Sequence, residues 1–327
     1  MVIIDVRSPS EYASGHIVGA INLPLFTDQE RAEVGTLYKQ VSREKAIERG
    51  LEFVGPKMVD LVRTARKLAL TTPGEPLEMY CARGGMRSAS VAWLLRTSGV
   101  AVNVIRGGYK AYRARFESSL ATDPWQLVVV SGATGSGKTE LLEEMQTLGA
   151  QVLDLEGLAS HRGSVFGGVG QGEQPTTEHF INILHDRFDH FTTTRPVFCE
   201  GESMLIGHVF LPATLYKMMQ NAEQILAVAP REERLDRIMK EYGALPIDDL
   251  MACFVKITKR MGPEQTRAAI TALQRGDILT AASLGLDYYD KCYRKGEKVG
   301  SSMAIELRKN NMQENAMKIF EKYEKNS

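Results

Sequence analysis

The segment Tyr80-Cys81-Ala82-Arg83-Gly84-Gly85-Met86-Arg87-Ser88 surrounds a thiol with groups that favour its ionised form. Cys81 follows the apolar run Leu77–Tyr80, and a helical pattern begins just beyond it. A strand therefore delivers the sulfur to the end of a sheet, where open α/β proteins bind their ligands. Gly84 and Gly85 let the backbone curl until successive N–H groups point inward. The helix N-terminus adds partial positive charge, Arg83 and Arg87 add full charges, and Ser88 closes the loop. Such surroundings lower a thiol pKa and yield a nucleophilic thiolate, while the same N–H groups hold an anion over the sulfur. A buried, inert cysteine beside a turn is the alternative, and the paired glycines and arginines weigh against it. Cys199, Cys253 and Cys292 sit in apolar or helical patterns and read as packing residues.

A second loop, Gly132-Ala133-Thr134-Gly135-Ser136-Gly137-Lys138-Thr139, satisfies G-x4-G-K-[ST] in full. It follows the apolar run Leu127–Ser131 and opens a helix, as a P-loop must. The backbone of Gly132, Gly135, Ser136 and Gly137 wraps a diphosphate, Lys138 neutralises its oxygens, and Thr139 is placed to take Mg²⁺. No other metal or cofactor is indicated. Val197-Phe198-Cys199-Glu200 reads as the neighbouring strand ending in the acidic residue that such sites use, with Glu202 a second choice. The motif specifies a diphosphate and not an adenine. A kinase or ATPase is the default reading, and a prenyl diphosphate would use the same cradle.

Weaker candidates surround these two loops. Asp154 and Glu156 follow a strand and lead to His161 and Arg162, a run suited to orienting a substrate or metal but also to an ordinary polar loop. Arg231, Arg234 and Arg237 share one helix, either to grip phosphates or as a solvated face. Tyr288, Tyr289 and Tyr293 offer rings for stacking an unpaired base or for packing between helices.

Two chemical loops need two sheets to hold them. Val2–Val6, Leu77–Tyr80 and Val102–Ile105 read as strands of the first, with helices over 56–71 and 87–98 between them. Leu127–Ser131, Gln151–Leu153, Val197–Cys199, Ile225–Ala229 and Met303–Leu307 read as strands of the second, with helices over 138–147 and 313–323. Residues 231–296 lack strand patterning and read as a helical insertion. The polar step Ala121-Thr122-Asp123-Pro124 marks a boundary. The predicted architecture is an α/β parallel-sheet domain over 1–122, then a P-loop NTPase-like α/β domain over 123–327.

Bulk properties set the limits. The 327 residues suit about two domains. Lys plus Arg and Asp plus Glu each total 40, so net charge gives no general case for nucleic acid. Residues 1–120 carry 17 basic against 12 acidic side chains, a local excess open to a polyanion. No run approaches the roughly 18 apolar residues of a membrane helix, so no membrane partner is expected. Met1 leads straight into Val2-Ile3-Ile4-Asp5 without a secretory signal, and the four cysteines form no disulfide framework. A reducing cytoplasm is the expected location.

Residues 1–120 resemble a rhodanese domain. The resemblance rests on Asp5-Val6-Arg7-Ser8-Pro9-Ser10-Glu11-Tyr12, Gly15-His16-Ile17, Gly19-Ala20-Ile21-Asn22-Leu23-Pro24 and the cysteine loop. It implies that Cys81 carries transferable sulfur or selenium, and that Asp5, Arg7 and His16 hold the fold. Five residues separate Cys81 from Arg87, one more than in the commonest sulfur-transferring rhodaneses, and this loop is similar to that of rhodanese-like phosphatases. Phosphatase chemistry therefore stays open for this half, and a phosphate-sized loop also suits selenophosphate. Taken with the P-loop, and with Val34–Lys39, Gly107–Ala111, Asp154–Ser164, Glu200–Ser203 and Asp287–Asp290, the whole chain resembles the bacterial tRNA 2-selenouridine synthases. Two departures are a start directly at the first strand and a compact helical insertion. The resemblance implies that 2-thiouridine at the tRNA wobble position is S-alkylated by geranyl diphosphate at the P-loop. Selenophosphate then replaces the S-geranyl group with selenium at Cys81. A rhodanese-type phosphatase or sulfurtransferase fused to a small-molecule kinase or ATPase is the alternative that needs no RNA.

Overall fold

The three apolar stretches of the first half, joined by a two-residue strand, form a parallel sheet in the computed structural model of the chain, which describes residues 1–294 and 303–324. Strands β1 (Ile3–Asp5), β2 (Ile21–Asn22), β3 (Leu77–Tyr80) and β4 (Val102–Val104) lie in the order β2-β1-β3-β4. Ile4 stands opposite both Ile21 and Met79, which places β1 and β3 in the middle. Central parallel strands are covered on both faces, which is why they read as continuous apolar runs. On one face Ile4, Leu77 and Met79 pack with Leu61 and Ala65 of helix Met58–Ala69 and with Val91, Ala92 and Leu95 of helix Met86–Thr97. Ile17, Ala20, Tyr80 and Tyr109 form a second cluster. Asp5 and Arg7 are buried and joined by a two-pronged ion pair, and the Arg7 guanidinium lies 3.9 Å from the centre of the Tyr109 ring. They hold the fold, as the sequence implied.

This first unit comprises Met1–Ser119 together with Glu178–Asp186, a segment distant in sequence. The segment is part of helix Thr177–Phe188. Its Asn182, 1% exposed, donates to the carbonyl of His16 at 2.9 Å and to the Tyr109 hydroxyl at 2.7 Å. Glu178 accepts from the Tyr109 hydroxyl and from Arg113. The His179 ring lies tilted against that of His16, ring centres 4.1 Å apart.

The second unit comprises Leu120–Thr177 and Arg187–Ser327. Strands β5 (Leu127–Gly132), β6 (Gln151–Leu153) and β7 (Val197–Glu200) precede a two-residue hairpin, β8 (Leu205–Ile206) and β9 (Val209–Phe210). Strands β10 (Glu223–Val228) and β11 (Met303–Glu306) complete a parallel sheet of order β11-β10-β5-β7-β6. Val128, Val130, Phe198 and Ile225 of the sheet pack against Leu141, Leu142 and Met145 of helix Lys138–Thr147 and Ala316 and Ile319 of helix Met312–Glu324. The expected helical stretch resolves into helices Arg231–Tyr242, Ile247–Met261, Pro263–Gln274 and Ile278–Arg294. Residues 295 and 296 of the insertion, and the Tyr293 side chain, lie outside the described residues. Among the described residues no helix is long and apolar enough to cross a membrane.

Candidate active site

Strand β3 ends one residue before Cys81, whose side chain is buried at the centre of the following loop. The Ser88 hydroxyl donates to the Cys81 sulfur at 3.2 Å. Burial pushes this thiol's pKa up, but the Ser88 hydroxyl and the backbone N–H groups of Arg83, Ser88 and Gly85 outweigh it. The net position is below an ordinary thiol. Gly84 is left-handed, φ +62°, and a Cβ there would lie 2.8 Å from the Gly107 nitrogen. Gly108, at φ +59°, comes closer still to the loop: a Cβ would run into the Cys81 carbonyl and the Gly84 nitrogen. The Tyr109 N–H donates to the Cys81 carbonyl at 3.0 Å and the Lys110 N–H to the Ala82 carbonyl at 2.9 Å. The turn 106–110 is thus stitched to the cysteine loop, a role not read from the sequence although Gly107-Gly108-Tyr109 stood out as a string.

The two loop arginines part company. Arg87 forms a two-pronged pair with Glu11, at 2.6 and 3.2 Å, and Glu11 also accepts the Ser8 N–H. Glu11 also lies 3.6 Å from Arg31, so one carboxylate serves two arginines, Arg87 among them. Arg83 is exposed and has no partner among the described residues. Gly85 serves as the residue before helix Met86–Thr97 with an ordinary negative φ of −96°, so only Gly84 needs the left-handed region.

The other loop has the geometry of an anion cradle. Gly135 and Gly137 are left-handed, φ +74° and +91°. The Ser136 hydroxyl is buried and has no partner, an acceptor-seeking donor inside the loop. Lys138 folds back to the Gly132 carbonyl at 3.1 Å. Behind the loop, Arg234 donates to the Thr134 carbonyl at 2.8 Å and is held by Asp290, while Arg237 bonds Glu140 at 2.9 Å and the Gly135 carbonyl at 3.3 Å. Both arginines are over 90% buried. The expectation of one solvent-facing arginine row is therefore corrected. Only Arg231 is outside, and it pairs with Asp287 at 2.8 Å.

An acidic group stands beside this loop. Asp154 caps the short helix Leu155–Leu158 by accepting the Gly157 N–H at 2.7 Å. Glu200, at the end of β7, accepts the Leu155 N–H at 2.9 Å. Burial first, then Asp154, holds Glu200 above the usual carboxylate range. Burial and a hydrogen bond with Glu202 do the same to Glu156, against the opposing charge of Lys138. His161 lies near Glu202, yet burial keeps its pKa low. Arg162 lies over the Tyr242 ring, 5.5 Å from its centre. Asp154, Glu156, Glu200 and Glu202 are thus gathered, as their strand-end positions suggested. Among the described residues no set of three acidic, His or Cys side chains is arranged to hold a metal unaided.

A small cavity borders the P-loop at Thr134. Its walls are mostly hydrocarbon: Phe166, Leu250, Phe254, Leu286 and Tyr289 among them. Tyr288 and Tyr289 belong to this packing. Tyr288 is buried against Tyr289, ring centres 5.0 Å apart, and the Tyr289 hydroxyl accepts the Val165 N–H. They are not exposed platforms for a base. Cys199 and Cys253 are buried as expected, and burial pushes both thiols up, whereas Cys292 is exposed.

Residues 125–321 match the family described as the tRNA 2-selenouridine synthase AAA domain, and residues 1–115 match the rhodanese-like domain. The protein of Shewanella denitrificans called tRNA 2-selenouridine synthase is 38% identical over 294 residues, 87% of this chain and 74% of that one. The protein of the same name from Nitrosomonas europaea is 38% identical over 73% of this chain and 63% of its own length. That of Psychromonas ingrahamii is 32% identical over 89% and 87%. A solved N-terminal domain of a putative ATP/GTP binding protein from Clostridium difficile 630 is 46% identical, covering 35% of this chain and 87% of that one, with a TM-score of 0.34.

Proposed function

The chain belongs to the tRNA 2-selenouridine synthase family, and on that premise we propose that it converts 2-thiouridine at the tRNA wobble position to 2-selenouridine in the cytoplasm. The observation that carries this reading is the pair of dissimilar anion cradles, one bearing a thiol held below its ordinary pKa, the other bordering a hydrocarbon cavity. In the first step the thiouridine sulfur attacks C1 of geranyl diphosphate. A carbon–sulfur bond forms, the carbon–oxygen bond breaks, and diphosphate leaves. The P-loop N–H groups and Lys138 receive the leaving group's growing charge. The hydrocarbon walls of the adjoining cavity suit a prenyl tail in character, and they offer an adenine few hydrogen-bonding partners. Thr139 would hold a Mg²⁺ ion, which would offset the negative charge growing on the leaving group. The donors present are hard oxygens, and Mg²⁺ at phosphate sites needs few protein ligands.

In the second step the selenium of selenophosphate replaces geranylthiol at C2, and water releases phosphate from selenium. The N–H groups around Cys81 suit the phosphate of selenophosphate, and the thiolate lies beside it to assist the exchange. Mass spectrometry of tRNA nucleosides tests the division of labour. Cells carrying only Cys81→Ala are expected to lose 2-selenouridine and retain S-geranyl-2-thiouridine, and Lys138→Ala to lose both. Normal 2-selenouridine in both variants would reject the assignment. Phosphate release from small esters without RNA would favour the phosphatase–kinase reading instead.

A further inference from the structure

The cysteine loop is rimmed by cations that the described residues do not neutralise. Arg83 stands in the loop, Arg106 and Lys110 in the turn stitched to it, and all three are exposed. Their backbones are held together by the Lys110 N–H on Ala82 and by the close fit of Gly84 against Gly107. None of the three has an acidic partner among the described residues, whereas Arg7, Arg87 and Arg113 of the same unit pair with Asp5, Glu11 and Glu178. Helix Met86–Thr97 springs from the same loop. It carries Met86, 48% exposed, and Trp93, 64% exposed, on one face about 10 Å apart.

We propose that this rim is the RNA-docking surface: Arg83, Arg106 and Lys110 take the phosphates on either side of the reacting nucleotide, and Trp93 stacks a neighbouring base. The inference rests on the tRNA reading given above and says where the RNA sits. Cys81 is 3% exposed, so only a base turned out of its strand reaches the sulfur. The sugar-phosphate chain then stays outside, at the rim, where the unmatched positive charge lies. Phosphates position such a strand and aromatic faces hold its bases without needing a sequence. Of the insertion residues that their types nominated, Arg234, Arg237 and Tyr288 are buried and Arg231 is paired, so none of these four is offered to an RNA strand.

The test is binding of the full chain to an anticodon stem-loop carrying 2-thiouridine across a salt series. Each phosphate contact in a single strand contributes about 0.7 to the slope of log affinity against log salt. Replacing Arg83, Arg106 and Lys110 by Gln together is expected to lower the slope by about 2. In a Trp125→Phe background the remaining Trp93 fluorescence should be quenched by the RNA, and Trp93→Ala should weaken binding about 10-fold. Unchanged melting temperatures would certify folding. RNA binding with the wild-type slope in the triple variant would overturn the rim while leaving the tRNA reading intact. The same slope combined with lost selenophosphate binding would overturn it in favour of a small-anion site. No RNA binding by the unaltered chain would remove both the rim and the reading beneath it.

Discussion

The Cys81 thiol owes its lowered pKa to hydrogen bonds and not to ion pairs, and a single hydroxyl is the accessible control. Ser88 lies 3.2 Å from the sulfur, while Arg87, which spacing alone nominated, is occupied by Glu11. Ser88→Ala is expected to move the pH midpoint of Cys81 alkylation upward, because the thiolate loses a donor and burial then acts with less opposition. Peptide mass spectrometry of iodoacetamide-treated protein separates Cys81 from exposed Cys292. An unmoved midpoint would transfer the control to the backbone N–H groups. Glu156 makes a prediction of opposite kind. Its folded pKa is raised by burial and by Glu202, so the folded chain keeps a proton that the unfolded chain gives up. That contribution to stability is complete below the ordinary carboxylate range and is lost as pH rises toward the raised value. Melting of the free protein between about pH 5 and pH 9 should therefore fall less steeply for Glu156→Gln than for the parent.

At the scale of elements, most strands were legible because parallel strands covered on both faces are unbroken apolar runs. Val2–Val6, Leu77–Tyr80, Leu127–Ser131 and Val197–Cys199 each became a strand at or near those bounds. Strand β2 and the β8–β9 hairpin were not, being two residues apiece, too short for any periodicity. Both chemical loops were legible from glycine, cysteine and lysine spacing. What backs them was not, since a buttress is defined by partners far away in sequence. Helix Arg231–Tyr242 illustrates this. Its arginines at 234 and 237 look like a basic face, yet they reach Thr134, Gly135 and Glu140. Arg237→Met keeps the bulk and removes the bonds. It is expected to weaken inorganic diphosphate binding about 10-fold and to cost about 1–3 kcal/mol of stability. Arg231→Met breaks only exposed contacts, with Asp287 and Ser283, and should cost under about 1 kcal/mol. Titration calorimetry and thermal unfolding separate the two, and equal effects would dismiss the buttress.

For the molecule as a whole, the unit that carries Cys81 cannot be cut from the sequence at its apparent boundary. Residues 1–122 contain every strand of the first sheet, yet Glu178–Asp186 belongs to that unit too. The segment satisfies groups that the first 122 residues cannot satisfy alone. Asn182 bonds the Tyr109 hydroxyl and the His16 carbonyl, and Glu178 bonds Tyr109 and Arg113. Tyr109 also covers Arg7, whose pair with Asp5 anchors β1, and it follows the turn that braces the cysteine loop. Removing the segment therefore opens water to the far side of the thiol's own support. In the full chain Asn182→Ala deletes one buried and one half-buried hydrogen bond and should cost about 1–3 kcal/mol. A fragment ending at residue 122 should melt below the corresponding transition of the full chain, and a peptide of residues 177–188 added in trans should raise its melting temperature. If the fragment melts as the full chain does and ignores the peptide, helix Thr177–Phe188 is an ornament of this unit and Tyr109 is held by its own sheet.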